Sequence, residues 1–204
     1  AVPHMDIAAA TRADKELGAL ALMREPSRAR IDGPWSLTYG LRDQEDLSLE
    51  VHALEPRQGD LTLAKGRAPG GRSAYDITWA LLENRSDPAP LRQQYLHLLH
   101  PRAGAARLDR VETIPIAADP ADGDFPPLAL RVTAGDTVDW IVLQHGRRRE
   151  VTVEGITTDA EFALWRERRG SLAGAVLVRG TRLQRQNHGL TLTEAEFRAT
   201  ITAC

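Results

Sequence analysis

The chain lacks most of the features that would place it in a specialised class. Its single cysteine, Cys204, is the last of 204 residues, so no internal disulfide can form and cysteine usage does not reveal the compartment. There is no apolar run of transmembrane length and no signal-peptide pattern, so we expect no membrane partner. The formal net charge of −2 gives no general attraction to nucleic acid, and we expect no nucleic-acid partner.

Catalytic motifs are also missing. The sequence contains no Gly-x-Ser-x-Gly elbow, no Gly-x-Gly-x-x-Gly loop, no phosphate-binding loop and no zincin helix. Tyr39, Tyr75 and Tyr95 could in principle act with a histidine in acid–base catalysis, but no pattern pairs one with the other. We therefore assign no catalytic residue and expect no cofactor.

The N-terminal residues predict two short segments ahead of the main domain. Residues 1–4 have the character of a cloning-tag remnant before Met5. Residues 5–32 are expected to form a helical or linker segment, since Asp6–Met23 partly traces a helical face and Pro26 ends it. Residues 33–204 are then expected to form one β-sandwich domain.

Short alternating runs dominate the sequence after Gly33-Pro34. In one of them Leu47, Leu49 and Val51 alternate with polar residues, which gives a strand one apolar face. The other predicted strands are Trp35–Leu41, Leu61–Ala64, Tyr75–Leu81, Tyr95–His100, Leu128–Thr133, Thr137–Leu143, Glu150–Val153, Phe162–Arg166, Ala175–Val178 and Leu190–Leu192. Turn residues separate them and no helical pattern alternates with them. We therefore predict a mainly β fold, an antiparallel β-sandwich, rather than a parallel α/β sheet.

The C-terminal residues carry a helix-start signal. Thr193-Glu194-Ala195-Glu196 matches a capping box, in which a threonine hydroxyl and a glutamate three residues later satisfy two backbone N–H groups. The sequence therefore predicts a short C-terminal helix that runs through Ile201.

His97 and His100 are the histidines whose spacing first suggests a metal site. On a strand, residues three apart point to opposite faces, so the two imidazoles could not share one ion. The other histidines considered, His52, His145 and His188, have no cysteine or histidine at ligand spacing. We therefore assign no metal site.

A basic turn offers the one candidate contact for an acidic sugar. Arg147, Arg148 and Arg149 follow His145 between two predicted strands, and guanidinium groups on a loop can hold a carboxylate or sulfate bidentately. Trp140, on the preceding strand, could add an aromatic surface. The plainer interpretation is a solvated charged turn beside a core tryptophan, because Val138–Leu143 is apolar on both faces.

From about Trp35 onward, the order of several stretches is similar to the C-terminal region of the heparinase II/III-like family. The stretches that carry this resemblance are Tyr75–Trp79, Gln94–Pro101, Arg107–Glu112, Leu128–Val132, Gly135–Val142, Thr158–Ala163 and Leu177–Leu183. The chain departs from the family pattern at His100, where the family often has glutamate, and at Ala160, where it has glycine.

The resemblance implies a parent enzyme and a compartment. Enzymes of this family are secreted or periplasmic lyases that cleave acidic polysaccharides by β-elimination, with an N-terminal α/α toroid followed by antiparallel β-sandwich domains. The catalytic tyrosine and histidine come mainly from the toroid and the first sandwich strands, and this sequence has neither the toroid nor a Gly-His-x-His cluster. We therefore expect a non-catalytic portion that supports the toroid. The alternative is a carbohydrate-binding module for acidic glycans.

Overall fold

The computed structural model describes residues 8–9, 23–41, 44–55, 58–67, 76–84, 93–105, 108–116, 125–145, 149–196 and 199–202. These residues form strands and turns without a helix, and all strand pairs among them are antiparallel. The predicted mainly β, antiparallel character is therefore confirmed. The chain divides into two compact units, an N-terminal unit (Val2–Gly104) and a C-terminal unit (Ala105–Cys204).

The N-terminal unit contains two sheets. Its strands are β1 (Ala8–Ala9), β2 (Arg24–Asp32), β3 (Trp35–Leu41), β4 (Gln44–Glu55), β5 (Gln58–Arg67), β6 (Asp76–Glu83) and β7 (Leu96–Ala103). One sheet has the order β1-β2-β5-β6 and the other the order β3-β4-β7. Ile31 and Leu61 from the first sheet form one buried cluster with Trp35 and Ala53 from the second, so apolar faces of the two sheets pack together.

The C-terminal unit also contains two sheets. Its strands are β8 (Arg110–Ile114), β9 (Leu128–Ala134), β10 (Thr137–Leu143), β11 (Val151–Val153), β12 (Ile156–Thr158), β13 (Phe162–Arg168), β14 (Ser171–Val178), β15 (Gly180–Arg185), β16 (His188–Glu196) and β17 (Ala199–Thr202). The larger sheet has the order β17-β14-β13-β10-β9-β8, and the smaller one β11-β12-β15-β16. Their shared core includes Trp140 and Leu177 from the larger sheet and Ile156 and Leu183 from the smaller one.

The six-stranded sheet carries apolar side chains on both faces. Trp140 and Val142 on β10 belong to the core cluster. Ile141 lies between them on the strand and so projects to the opposite face, as does its cross-strand partner Leu130, which is 3% exposed. The continuous apolar sequence Val138–Leu143 thus reflects a strand with apolar residues on two faces.

The predicted C-terminal helix is not confirmed. Thr193–Glu196 belongs to β16, and Ala199–Thr202 forms β17, which pairs with Gly174–Leu177 of β14. A capping box satisfies only a few backbone groups, whereas the open edge of β14 offers partners along a whole segment. The threonines and isoleucine of this segment also favour an extended backbone.

The N-terminal prediction needs a correction at its C-terminal end. Arg24–Asp32, predicted as part of a helical or linker segment, is strand β2 and pairs with β5, so the boundary predicted at residue 33 falls inside the N-terminal unit. Pro26 does not end a helix but lies where the β2–β5 register shifts, next to Glu25 with φ of 51°. Proline is tolerated at such a bulge because no ladder hydrogen bond is required there. Ala8–Ala9 is β1, and residues 10–22 lie outside the described part of the chain, as do residues 1–4.

Candidate functional site

A cross-strand row in the C-terminal unit brings two tryptophans together. Glu112 on β8 lies opposite Arg131 on β9, Arg131 opposite Trp140 on β10, Trp140 opposite Trp165 on β13, and Trp165 opposite Ala175 on β14. Directly opposed residues project from the same face of a sheet. The two indoles are therefore neighbours on the core-facing side, with an ion pair at one end of the row.

Polar groups fix the edge of the Trp140 ring. Its Nε1 donates to Oε2 of Glu154 at 2.7 Å, and both carboxylate oxygens of Glu154 accept from Nη1 of Arg131 at 2.8 and 3.0 Å. Nη2 of Arg131 donates to Glu112 at 3.0 Å. The hydrogen bond to Glu112 raises the pKa of Arg131, and the charge of Glu154 raises it further. Partial burial acts in the opposite direction, but the pKa stays above its ordinary value.

Next to this row, a pocket of about 320 Å³ opens at the edge of the C-terminal unit. It is lined by Trp165, Glu167, Ser171, Leu172, Arg185 and His188, among other residues. Oε1 of Glu167 accepts hydrogen bonds from Trp165 Nε1 at 3.0 Å and from Arg185 Nη1 at 2.6 Å.

The guanidinium of Arg185 is held at two points. Its central carbon lies 4.3 Å from the centre of the Trp140 ring, a cation–π arrangement, and Nη1 is bound by Glu167. Among the described residues, Nε and Nη2 of Arg185 make no hydrogen bond. His188 is the direct cross-strand partner of Arg185, so both side chains lie on one face of the β15–β16 hairpin. Arg185, held in place and with two further donor nitrogens, therefore lines the pocket together with His188.

The structure describes three of the five residues predicted to contact an acidic sugar, namely Trp140, His145 and Arg149. Trp140 is 7% exposed and faces the core, whereas His145 is exposed just beyond the end of β10. Arg149 is partly buried, and Arg147 and Arg148 lie outside the described residues. A contact with acidic sugar at this turn stays a prediction, and Trp140 belongs instead to the row that borders the pocket.

Gln144 anchors the loop that contains this turn. Its side chain is 5% exposed, and its amide donates to the carbonyl oxygens of Arg149 at 2.9 Å and Ala160 at 3.0 Å. The amide oxygen accepts from the N–H of Arg149 at 3.4 Å. The loop is thus fixed at its base by a buried glutamine, which the sequence pattern did not indicate.

Two of the stretches that carry the family resemblance meet in one joint of the C-terminal unit. Oδ1 of Asp159 accepts from the N–H groups of Thr181 and Arg182, each at 2.8 Å, and Oδ2 accepts from the Thr181 hydroxyl at 2.7 Å. A Cβ on Gly180 would lie 2.6 Å from the Cα of Ala160, so only glycine fits there without a shift. We name this Asp159–Ala160–Gly180–Thr181 contact the 159–181 joint.

Hydrogen bonding controls the charge of this joint. Burial by itself acts to raise the pKa of Asp159, but the hydrogen bonds from the Thr181 side chain and from the backbone N–H groups of Arg182 and Thr181 outweigh it, so that the pKa lies below its ordinary value. The carboxylate of Asp159 is therefore ionised in the folded state, with both oxygens directed at the start of β15.

A second polar group lies on the three-stranded sheet of the N-terminal unit. Oε2 of Glu50 is 3.5 Å from Nε2 of His52, 3.5 Å from Nδ1 of His100 and 3.8 Å from Nη1 of Arg102. The side chain of His52 is 8% exposed, and both of its ring nitrogens lack a hydrogen-bond partner. Three side chains thus surround one carboxylate oxygen of Glu50, while buried nitrogen atoms of all three lack a hydrogen-bond partner.

His97 and His100 project from opposite faces of β7, as the strand period requires. The ring of His97 lies 6.3 Å from that of Trp35 and 6.4 Å from that of Tyr95, whereas His100 approaches Glu50. Although His97 remains accessible, desolvation lowers its pKa. Within the described residues no group of three or more His, Cys, Asp or Glu side chains is arranged to hold a metal ion.

The described part of the chain also has no helix that is both long and apolar enough to cross a membrane. Comparison with known proteins gives no assignment, because no family model and no curated protein matches this sequence.

Proposed function

We propose that the chain is a non-catalytic β-sandwich portion of a heparinase II/III-like polysaccharide lyase. In this proposal it supports a catalytic α/α toroid formed by another part of the same protein, and the parent enzyme cleaves acidic polysaccharide by β-elimination in the periplasm or outside the cell. The observation that carries the proposal is the 159–181 joint. Two stretches chosen for their likeness to that family, Thr158–Ala163 and Leu177–Leu183, meet there through Asp159, Gly180 and Thr181.

The chemistry of the joint favours a supporting role. An aspartate whose two oxygens bind the backbone and a hydroxyl at the start of a strand fixes the position of that strand. The ionised carboxylate accepts these hydrogen bonds with both oxygens. Arginine–carboxylate pairs make further links in this unit: Arg131 with Glu154 of the β11–β12 turn at 2.8 Å, and Arg166 with Asp139 of the neighbouring strand at 2.6 Å. Such residues stabilise the sheets that would carry a neighbouring domain.

Burial of the tryptophans argues against the alternative of a module that binds sugar with exposed rings. Trp35, Trp140 and Trp165 are only 5%, 7% and 2% exposed. Trp79 covers Gly66, where a Cβ would lie 2.7 Å from the indole nitrogen. A stacking platform needs an accessible aromatic face, which Trp35, Trp140 and Trp165 lack, while Trp79 is half-buried against Gly66.

Two measurements test the proposal. The gene region that precedes the Met5 codon should encode a helical toroid, and an unrelated domain there would refute the family assignment. The chain alone, incubated with heparin, heparan sulfate or alginate, should release no 4,5-unsaturated product detectable by its ultraviolet absorbance. Product formation that disappears on substitution of a residue within this chain would refute the supporting role.

A further inference from the structure

The pocket of the C-terminal unit has the arrangement of a binding site for an anionic group. Arg185 is ordered by the Trp140 ring on one side and by Glu167 on the other, so a ligand need not immobilise a long flexible side chain. Its Nε and Nη2 form an edge that no described residue occupies. Two parallel N–H donors at fixed spacing match the two oxygens of a carboxylate.

The neighbouring residues complete the arrangement. His188, the cross-strand partner of Arg185, adds a ring nitrogen that can donate a further hydrogen bond. In the same pocket lining, Ser171 supplies a hydroxyl and Leu172 supplies apolar surface. The volume of about 320 Å³ suits a small molecule.

We propose that this pocket binds the carboxylate of a small organic acid, with Arg185 as the bidentate donor and His188 as the second donor. The body of the ligand lies against Leu172, which is the accessible apolar side chain of the lining. This role is separate from the proposed support of a toroid and would hold whether or not the chain belongs to a lyase.

Glu167 sets the strength of the site. Its carboxylate orders Arg185 through a 2.6 Å hydrogen bond, but it also places a negative charge next to the incoming ligand. Recognition therefore depends on geometry rather than on net positive charge. In Glu167→Gln the amide oxygen can still accept from Arg185 and Trp165 while the charge is gone, so carboxylate binding should become tighter, by roughly tenfold.

The test is an NMR titration of the full chain in which the indole N–H resonances of the tryptophans are followed. Sodium acetate supplies a carboxylate alone, glucuronate a carboxylate on a sugar, glucose a sugar without a carboxylate, and inorganic phosphate a different oxyanion. We expect a saturable shift of the Trp165 resonance with acetate, glucuronate or both. Tighter binding of glucuronate would identify a sugar acid as the ligand type, and equal binding would identify a simple organic acid.

Matched variants separate the site from general effects. His188→Ala and Arg185→Lys should each weaken carboxylate binding roughly tenfold, since each removes a charge-assisted hydrogen bond or its fork geometry. His97→Ala, in the N-terminal unit, and Arg182→Lys change the same residue types outside the pocket and should leave binding unchanged. A gain of affinity in Glu167→Gln cannot come from loss of folding.

Several results would overturn the proposal. The first is that neither acetate nor glucuronate gives a saturable shift, and the second is that glucose or phosphate binds as tightly as the carboxylates. The others are a loss of affinity in the control variants equal to that in the pocket variants, and no gain of affinity in Glu167→Gln. The lyase proposal is judged by the upstream gene and by product formation, so a failure of either proposal is distinguishable from a failure of the other.

Discussion

Removal of the Asp159 carboxylate should be the most damaging single polar substitution in the C-terminal unit. Its two oxygens accept three hydrogen bonds at 2.7–2.8 Å, two from the backbone of Thr181 and Arg182 and one from the Thr181 hydroxyl. Asp159→Ala leaves these donors without an acceptor in a partly buried place. The start of β15 then keeps its backbone hydrogen bonds to the segment before β13 but loses the three made by this side chain.

The magnitude follows from the number and type of the lost bonds. A hydrogen bond to a charged group contributes about 1.5–3 kcal/mol, and bonds that share one carboxylate are not additive. We therefore expect Asp159→Ala to lower the free energy of unfolding of this unit by roughly 3–4 kcal/mol. Asp159→Asn retains one acceptor oxygen for the two backbone groups and should lose about half as much.

The lowered pKa of Asp159 adds a pH dependence with a defined sign. Because the folded state holds the pKa below its ordinary value of about 3.9, the ionised carboxylate stabilises the fold fully above that value. This contribution is lost as pH falls from there through the folded-state pKa. In Asp159→Asn the acid-induced loss of stability should therefore be smaller than in the original protein.

Hydrogen exchange followed by mass spectrometry is the suitable assay, because peptides from Ala105–Cys204 report on this unit separately from the other. Asp109→Ala is the matched control: Asp109 is exposed and accepts one backbone hydrogen bond, from Gly135 at 2.6 Å. It should cost about 1 kcal/mol or less. Equal effects of Asp159→Ala and Asp109→Ala would refute the role assigned to the 159–181 joint.

Three further substitutions have expected outcomes that denaturant unfolding can check. Gly180→Ala places a Cβ 2.6 Å from the Cα of Ala160 and should cost about 1–3 kcal/mol, whereas Gly40→Ala, with no atom within 4 Å, should be nearly neutral. Leu177→Ala, at 0% exposure, should cost about 2–5 kcal/mol, against little for Leu99→Ala at 60% exposure. Gln144→Leu should cost about 1–3 kcal/mol because it removes the hydrogen bonds that this side chain makes with Arg149 and Ala160. An unchanged unfolding midpoint in any of the three variants would contradict its prediction.

Two strands, one with strong alternation and one apolar on both faces, were predicted with their observed bounds because turn residues flank them. Trp35–Leu41 and Thr137–Leu143 were predicted with the bounds that β3 and β10 have in the structure. In both cases one face enters a buried cluster, through Trp35 in one unit and Trp140 in the other. In β3 the alternation itself specifies the register, whereas β10 is apolar on both faces and is marked by its length and its flanking turn residues.

Local signals failed where pairing with a distant strand decides the conformation. Pro26 was interpreted as the end of a helical segment, and residues up to 32 were not predicted to form a strand. Arg24–Asp32 nevertheless forms one, because β5 supplies hydrogen-bond partners and a bulge accommodates the proline ring. Thr193–Glu196 has a helix-capping pattern, yet it continues β16. In both segments the sequence gives only a local preference, and the free energy of sheet pairing outweighs it.

The pocket shows the same division between local and distant information. The pairing of Arg185 with His188 across a two-residue hairpin turn is local, and alternation on both sides of that turn could have indicated it. The placement of Arg185 over Trp140 and against Glu167 instead depends on how the four-stranded sheet packs on the six-stranded one. Residues from different sheets carry no shared periodicity, so a site at the edge of two packed sheets has no signature in a single sequence.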